Sequence, residues 1–102
     1  MHLVQILLPL YDNERKLFPQ GEYERVRDEL TERFGGLTSY VQSPAKGLWR
    51  ETGSSTVHDD IVIYEVMTEQ LDRDWWHDYR RELSGRFRQE LLIVRASQIE
   101  LL

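Results

Sequence analysis

The sequence predicts an α+β fold, and three observations predict it. Apolar residues alternate with period two near both ends of the chain and in its middle, as strands lying on a core require. Between these runs lie two stretches where large apolar residues recur every three or four positions, the stripe of a helix packed on one side. The segments follow one another as β-α-β-β-α-β in only 102 residues, which is the length of a single domain, 1–102. A chain this short buries roughly 60 to 65% of its unfolded surface, so a sizeable pocket is expected to need a second subunit.

The first strand is read from His2 to Leu10, with Val4, Ile6, Leu8 and Leu10 on one face and Leu3, Gln5 and Leu7 on the other, and Pro9 marking its end or a bulge. Tyr11 to Lys16 is polar and aperiodic, a loop that Pro19-Gln20-Gly21 extends into a helix. From Gln20 to Phe34 the stripe is Tyr23, Val26, Leu30 and Phe34, and Gly35-Gly36 supplies the left-handed residue that ends the helix. Leu37 to Ser43 reads as a second strand, interrupted at Pro44 and resumed at Gly47-Leu48-Trp49-Arg50, before a turn over 51–55. Thr56 to Met67 is the strongest strand by composition. Thr68 or Asp72 caps a second helix whose stripe is Leu71, Trp75, Tyr79 and Leu83, with Trp76 and Phe87 flanking it and an end between Gly85 and Gln89. Leu91 to Ala96 is a fourth strand, and 98–102 extend it or form a short fifth.

That order is the split βαβ, or ferredoxin-like, arrangement: a four-stranded antiparallel sheet with both helices on one face. The expectation carries strands one and three as central, parallel neighbours. Strands one, three and four are apolar on both faces, whereas an open antiparallel face turns polar. A second copy of the sheet is the simplest cover, so a homo-oligomer, dimer or trimer, is expected.

Composition excludes several classes. With 13 basic against 18 acidic residues the formal charge is −5, which argues against a nucleic-acid partner. Residues 1–72 hold seven basic and thirteen acidic groups while 73–102 hold six and five, so the C-terminal third is the part suited to face an anion. The absence of cysteine removes disulfides and thiolate metal sites and suits a reducing compartment, with the cytoplasm as the default. The apolar run Leu3–Leu10 is broken by Gln5 and Pro9 and is far short of the ~20 residues that span a membrane, so no membrane partner is expected. It lacks the basic flank and small-residue cleavage site of a signal peptide and reads as a mature strand.

Arg33-Phe34-Gly35-Gly36-Leu37-Thr38, Gly47-Leu48-Trp49-Arg50, Tyr79-Arg80 and the run from Arg86 to Arg95 resemble a family of small uncharacterised bacterial proteins over about the last two thirds of the chain. The family's members often carry an exported, lipoprotein-like N-terminus, where this chain begins in a strand. The resemblance implies no activity and hands over no catalytic residue. More distantly, the long hairpin bearing a tryptophan is similar to the trimeric CutA and PII-like proteins, and the length is similar to the dimeric α/β barrels; both are likenesses of fold.

Trp75-Trp76-His77-Asp78-Tyr79-Arg80 is the most unusual hexapeptide. Read functionally, it is an aromatic wall with His77 as acid or base and Arg80 as anion anchor. Read structurally, it is helix-to-sheet packing and a subunit contact, the use favoured here. His58, Asp59 and Asp60 open strand three, and parallel pairing would set His2 beside them as a third nitrogen or oxygen ligand. A pH-sensitive His58–carboxylate contact is the preferred reading, with no metal and no cofactor expected. Tyr40, Trp49 and Tyr64 either fill the core or line a small cavity. Arg80, Arg81, Arg86 and Arg88 alternate with Asp78, Glu82 and Glu90 as a solvated face. The expected function is a non-catalytic or small-molecule-binding homo-oligomer, with Trp49, Trp76, Arg80 and Tyr40 holding a small organic anion. The alternative is a cofactor-independent monooxygenase or isomerase of the dimeric-barrel kind, with His77 or His58 as the catalytic candidate.

Overall fold

The computed structural model describes residues 1–42 and 61–102, and the side chains of 1–38 and 61–102. Its elements run β1 (His2–Pro9), α1 (Gln20–Phe34), β2 (Thr38–Gln42), β3 (Ile61–Thr68), α2 (Arg73–Arg86) and β4 (Ile93–Gln98). The strand order is β2-β3-β1-β4, and every neighbouring pair is antiparallel. The apolar first strand is therefore central, with Leu3 opposite Met67 on one side and Ser97 on the other.

This corrects the ferredoxin-like expectation in its strand pairing. That reading set the first and third strands parallel, whereas β1 runs against β3 from His2 opposite Thr68 to Pro9 opposite Ile61. The physical reason lies in the connections: α1 carries the chain back so that β2 restarts in the sense of β1, and the antiparallel β2–β3 pair then reverses β3. The described part of the second strand is β2, Thr38–Gln42, at one edge of the sheet; its expected continuation to Ser43 and through Gly47–Arg50 lies outside the described residues. Among the described side chains the core rests on the antiparallel trio β3-β1-β4. The class that stands is α+β. The segments 43–60, with Trp49 and His58, lie outside the described residues.

The helices form where their stripes meet that sheet. On α1, Tyr23, Val26 and Leu30 are buried, and each large apolar side chain closed off this way contributes about 1.5 to 3 kcal/mol. Gly35 ends the helix at φ 82°, a left-handed conformation that glycine adopts without strain, and its N–H donates to Thr31 O at 2.7 Å. Tyr23 also ties α1 to the sheet: its hydroxyl donates to Pro9 O at 2.6 Å while its own carbonyl accepts from the Tyr64 hydroxyl at 3.1 Å, and burial pushes the Tyr23 phenol up to about 12.

On α2 the buried face is Trp76, Tyr79 and Leu83, continued by Phe87. Tyr79 and Leu83 are buried as the spacing predicts, but Trp76 takes the buried place expected of Trp75, which is only half-buried, stacked on Tyr79 at 4.8 Å with the Arg33 guanidinium 4.2 Å above its ring. Trp76 lies flat against Phe34, ring centroids 5.3 Å apart and planes 13° from parallel.

Between the helices sits a polar link. Arg86, whose side chain is only 9% exposed, donates to both Glu29 oxygens at 2.9 and 2.8 Å and to Glu82. Tyr79 donates to Glu29 Oε1 at 2.7 Å. Partial burial works against ionisation of Glu29, but the Arg86 and Tyr79 hydrogen bonds outweigh it and hold the carboxyl below the usual range. Arg86 therefore does not belong to the solvated arginine face that the alternation of charges suggests.

Candidate functional site

The chain's chemistry gathers where α2 passes over β4. Asp72 accepts from the Trp75 N–H at 3.1 Å, which fixes the residue at which α2 begins and so the positions of the side chains in its first turns. From that start, Arg73, Trp76, His77 and Arg80 follow at the i, i+3, i+4, i+7 spacing of one helical face. They border a cleft of about 450 Å³ whose other walls are His2 and Val4 of β1, Leu71, and Val94 to Gln98 of β4.

Five successive residues of one strand line this cleft. Side chains of a strand alternate between its faces, so an unbroken run means that the edge of β4 borders the space as well as one of its faces. The register seats His2 opposite Gln98 and Val4 opposite Ala96, which forms the floor. His2 Nδ1 is closed off from solvent and bonds nothing among the described residues.

The lining is electrostatically one-sided. It holds, among the described residues, Arg73, Arg80, Arg95, His2 and His77 and no aspartate or glutamate. Among the described residues Arg73 and Arg80 form no ion pair, while Arg33, Arg81, Arg86 and Arg88 each face a carboxylate. Arg95 donates through Nε to Gln5 Oε1 at 2.7 Å on the sheet face away from the helices, so it borders the cleft from across the strand edge while Arg73 and Arg80 stand on the α2 side. The N-terminal half of α2 adds the positive end of its backbone dipole. Guanidiniums offering paired donors, set beside Val4, Leu71, Val94 and the margin of Trp76, suit an organic anion with an apolar body.

Of the candidates read from the sequence, the structure brings together Trp76, His77 and Arg80 and separates Tyr40. Tyr40 lies on β2, opposite Ile63 at the far edge of the sheet, with β3 and β1 between it and β4. Trp76 is 5% exposed and closes the cleft chiefly as a packing residue, in line with the structural reading of the hexapeptide. His77 is exposed and makes no hydrogen bond among the described residues, so no carboxylate orients it as a triad would. The trio of His2 with His58 and Asp60 loses its basis, because the antiparallel register puts His2 opposite Thr68 at the end of β3 away from Ile61. Sequence reasoning missed His2, Arg73 and the whole β4 edge as site components. The spacing of Arg73, Trp76, His77 and Arg80 on one face was the signal available for Arg73.

Among the described residues, no helix is long and apolar enough to cross a membrane. No family model matches the chain, and no curated protein matches it. In fold the chain is similar to a phage SAM lyase solved in complex with S-methyl-5'-thioadenosine, with a TM-score of 0.61 and 17% identity over 95% of this chain and 80% of that one.

Proposed function

We propose that the chain is a small-molecule-binding domain whose ligand is an organic anion seated between α2 and β4. One observation carries this reading: in a chain of net charge −5, the described residues that line the cleft include Arg73, Arg80, His2 and His77 and no acidic residue. A wall of one sign inside an oppositely charged molecule concentrates ligands of the other sign. The test is a titration of the intrinsic tryptophan fluorescence with benzoate and larger aromatic acids, at low and high salt. Binding that weakens with salt and is lost in Arg80→Ala supports the reading; binding unaffected by Arg80→Ala removes it.

A second reading, an enzyme that needs no cofactor, draws support from the fold likeness to a lyase that holds a nucleoside thioether. In that reading His77 is the group placed to move a proton. The lining speaks against a sulfonium substrate, since among the described residues no carboxylate faces the positive charge that such a molecule carries. Incubation with S-adenosylmethionine, followed by chromatography for S-methyl-5'-thioadenosine, separates the readings: turnover lost in His77→Ala establishes the lyase.

Self-association belongs to the same proposal. On the sheet face away from the helices, Met67 and Ile93 are 49% and 47% exposed beside the half-buried Leu3 and Leu7. A row of hydrogen bonds from Arg95 through Gln5 to Glu65 crosses this face and holds its polar groups in register. Large apolar side chains left open on a flat sheet favour a second copy as cover.

A further inference from the structure

Among the described residues β4 pairs with β1 alone, so its outer edge is open. Edge strands ordinarily carry a guard: proline, lysine, a bulge or a covering loop. Ile93-Val94-Arg95-Ala96-Ser97-Gln98 contains neither proline nor lysine, five of its six residues are exposed, and its ladder runs unbroken from Leu7 opposite Ile93 to His2 opposite Gln98. Beside this unguarded edge stands the face of α2 that carries Arg73, His77 and Arg80. A groove with a free strand edge on one wall and a helix on the other is a shape in which an extended peptide adds itself to a sheet.

We propose that the cleft receives an extended acidic peptide, paired through its main chain with the outer edge of β4 and held at its carboxylates by Arg73 and Arg80. The inference rests on the anion reading of the same cleft and names its ligand. Charge selects the occupant. Among the described residues the lining has cations and no acidic residue, so an acidic strand is complemented. A second copy of β4, which contains Arg95 and no acidic residue, sets positive against positive. Spacing agrees: Arg73 and Arg80 are two turns apart, about 10.5 Å along the helix. Acidic residues two to four positions apart in an extended strand, at about 3.4 Å per residue, bracket that distance while projecting to the same side. The intervening side chains lie over Val94 and Ala96.

The experiment is fluorescence anisotropy of a labelled heptapeptide of alternating glutamate and valine, titrated with the full chain. Saturable binding is expected, weakened about tenfold or more in Arg73→Ala and in Arg80→Ala, each checked for native circular dichroism. Methylation of alternate peptide nitrogens, which removes main-chain donors and leaves every charge, is expected to weaken binding by a similar factor. Equal binding of the methylated peptide overturns strand addition. A disulfide-linked dimer formed on mild oxidation of Ala96→Cys, which lies on the α2 side of the sheet opposite Val4 and away from the face of Leu3 and Ile93, in a chain with no other cysteine, assigns the edge to a second copy and overturns the proposal too. If benzoate binds and the peptide does not, this inference fails and the anion reading stands; if neither binds, both fail.

Discussion

The Tyr79 hydroxyl and the Glu29 carboxylate meet at 2.7 Å, and the same carboxylate takes both arms of Arg86, so a single acid on α1 anchors two residues of α2. Its native titration lies below the ordinary 4.5, so its contribution is complete above that pH and is lost as pH falls through the depressed value. Glu29→Gln is expected to cost about 1 to 2 kcal/mol at neutral pH, less than a sealed pair because Glu29 is partly open to water. Urea denaturation between pH 6 and 3 checks the sign: the native chain loses stability on acidification, and Glu29→Gln shows a shallower dependence.

Leu83 is fully buried under α2, in contact with the core that β1 and β3 share. Leu83→Ala is expected to destabilise by about 2 to 5 kcal/mol through lost transfer energy and the cavity left behind. Leu91, 68% exposed, is the control, and Leu91→Ala is expected to shift stability by no more than about 0.5 kcal/mol. Chemical denaturation midpoints at unchanged slope measure both.

Arg80 should separate binding from folding. It has no ion-pair partner among the described residues, so Arg80→Ala is expected to change stability by no more than about 0.5 kcal/mol and to weaken binding of aromatic acids about tenfold or more. Paired melting and fluorescence titrations measure the two effects on the same samples.

Assembly is tested at Ile93. Light scattering at micromolar concentration is expected to show a dimer or larger species, and Ile93→Arg to reduce it to a monomer by setting an unpaired charge in the contact, at roughly 3 to 5 kcal/mol. A native chain that is already monomeric would sink the expectation.

Much of α1 was legible because its stripe at Tyr23, Val26, Leu30 and Phe34 follows a 3.6-residue period, and Gly35-Gly36 marks its end. On α2 the regular spacing of Leu71, Trp75, Tyr79 and Leu83 placed Tyr79 and Leu83 in the core and chose the wrong tryptophan. Steps of four advance about 40° beyond a full circle each time, so such a row winds around the helix, while Trp76, Tyr79, Leu83 and Phe87 stay nearer one side. Strand direction was also legible in principle, since it follows from counting reversals through α1 and the β2–β3 pair. The cleft was not. Its walls come from His2, Arg73 and Val94 to Gln98, and only the closing of the sheet sets opposite ends of the chain side by side.

The central place of β1 also governs how the chain acquires its shape. Gln5 finds its partners in Glu65 and Arg95, sixty and ninety positions later. At about 5 to 20 residues per second, roughly five to twenty seconds of synthesis separate the first strand from the last neighbour it needs. Until β3 is made, Ile6, Leu7 and Leu8 form an unpaired apolar segment, and pairings so distant in sequence slow the final closure. The closing of the sheet therefore falls at the end of synthesis, when β4 arrives to cover the second edge of β1.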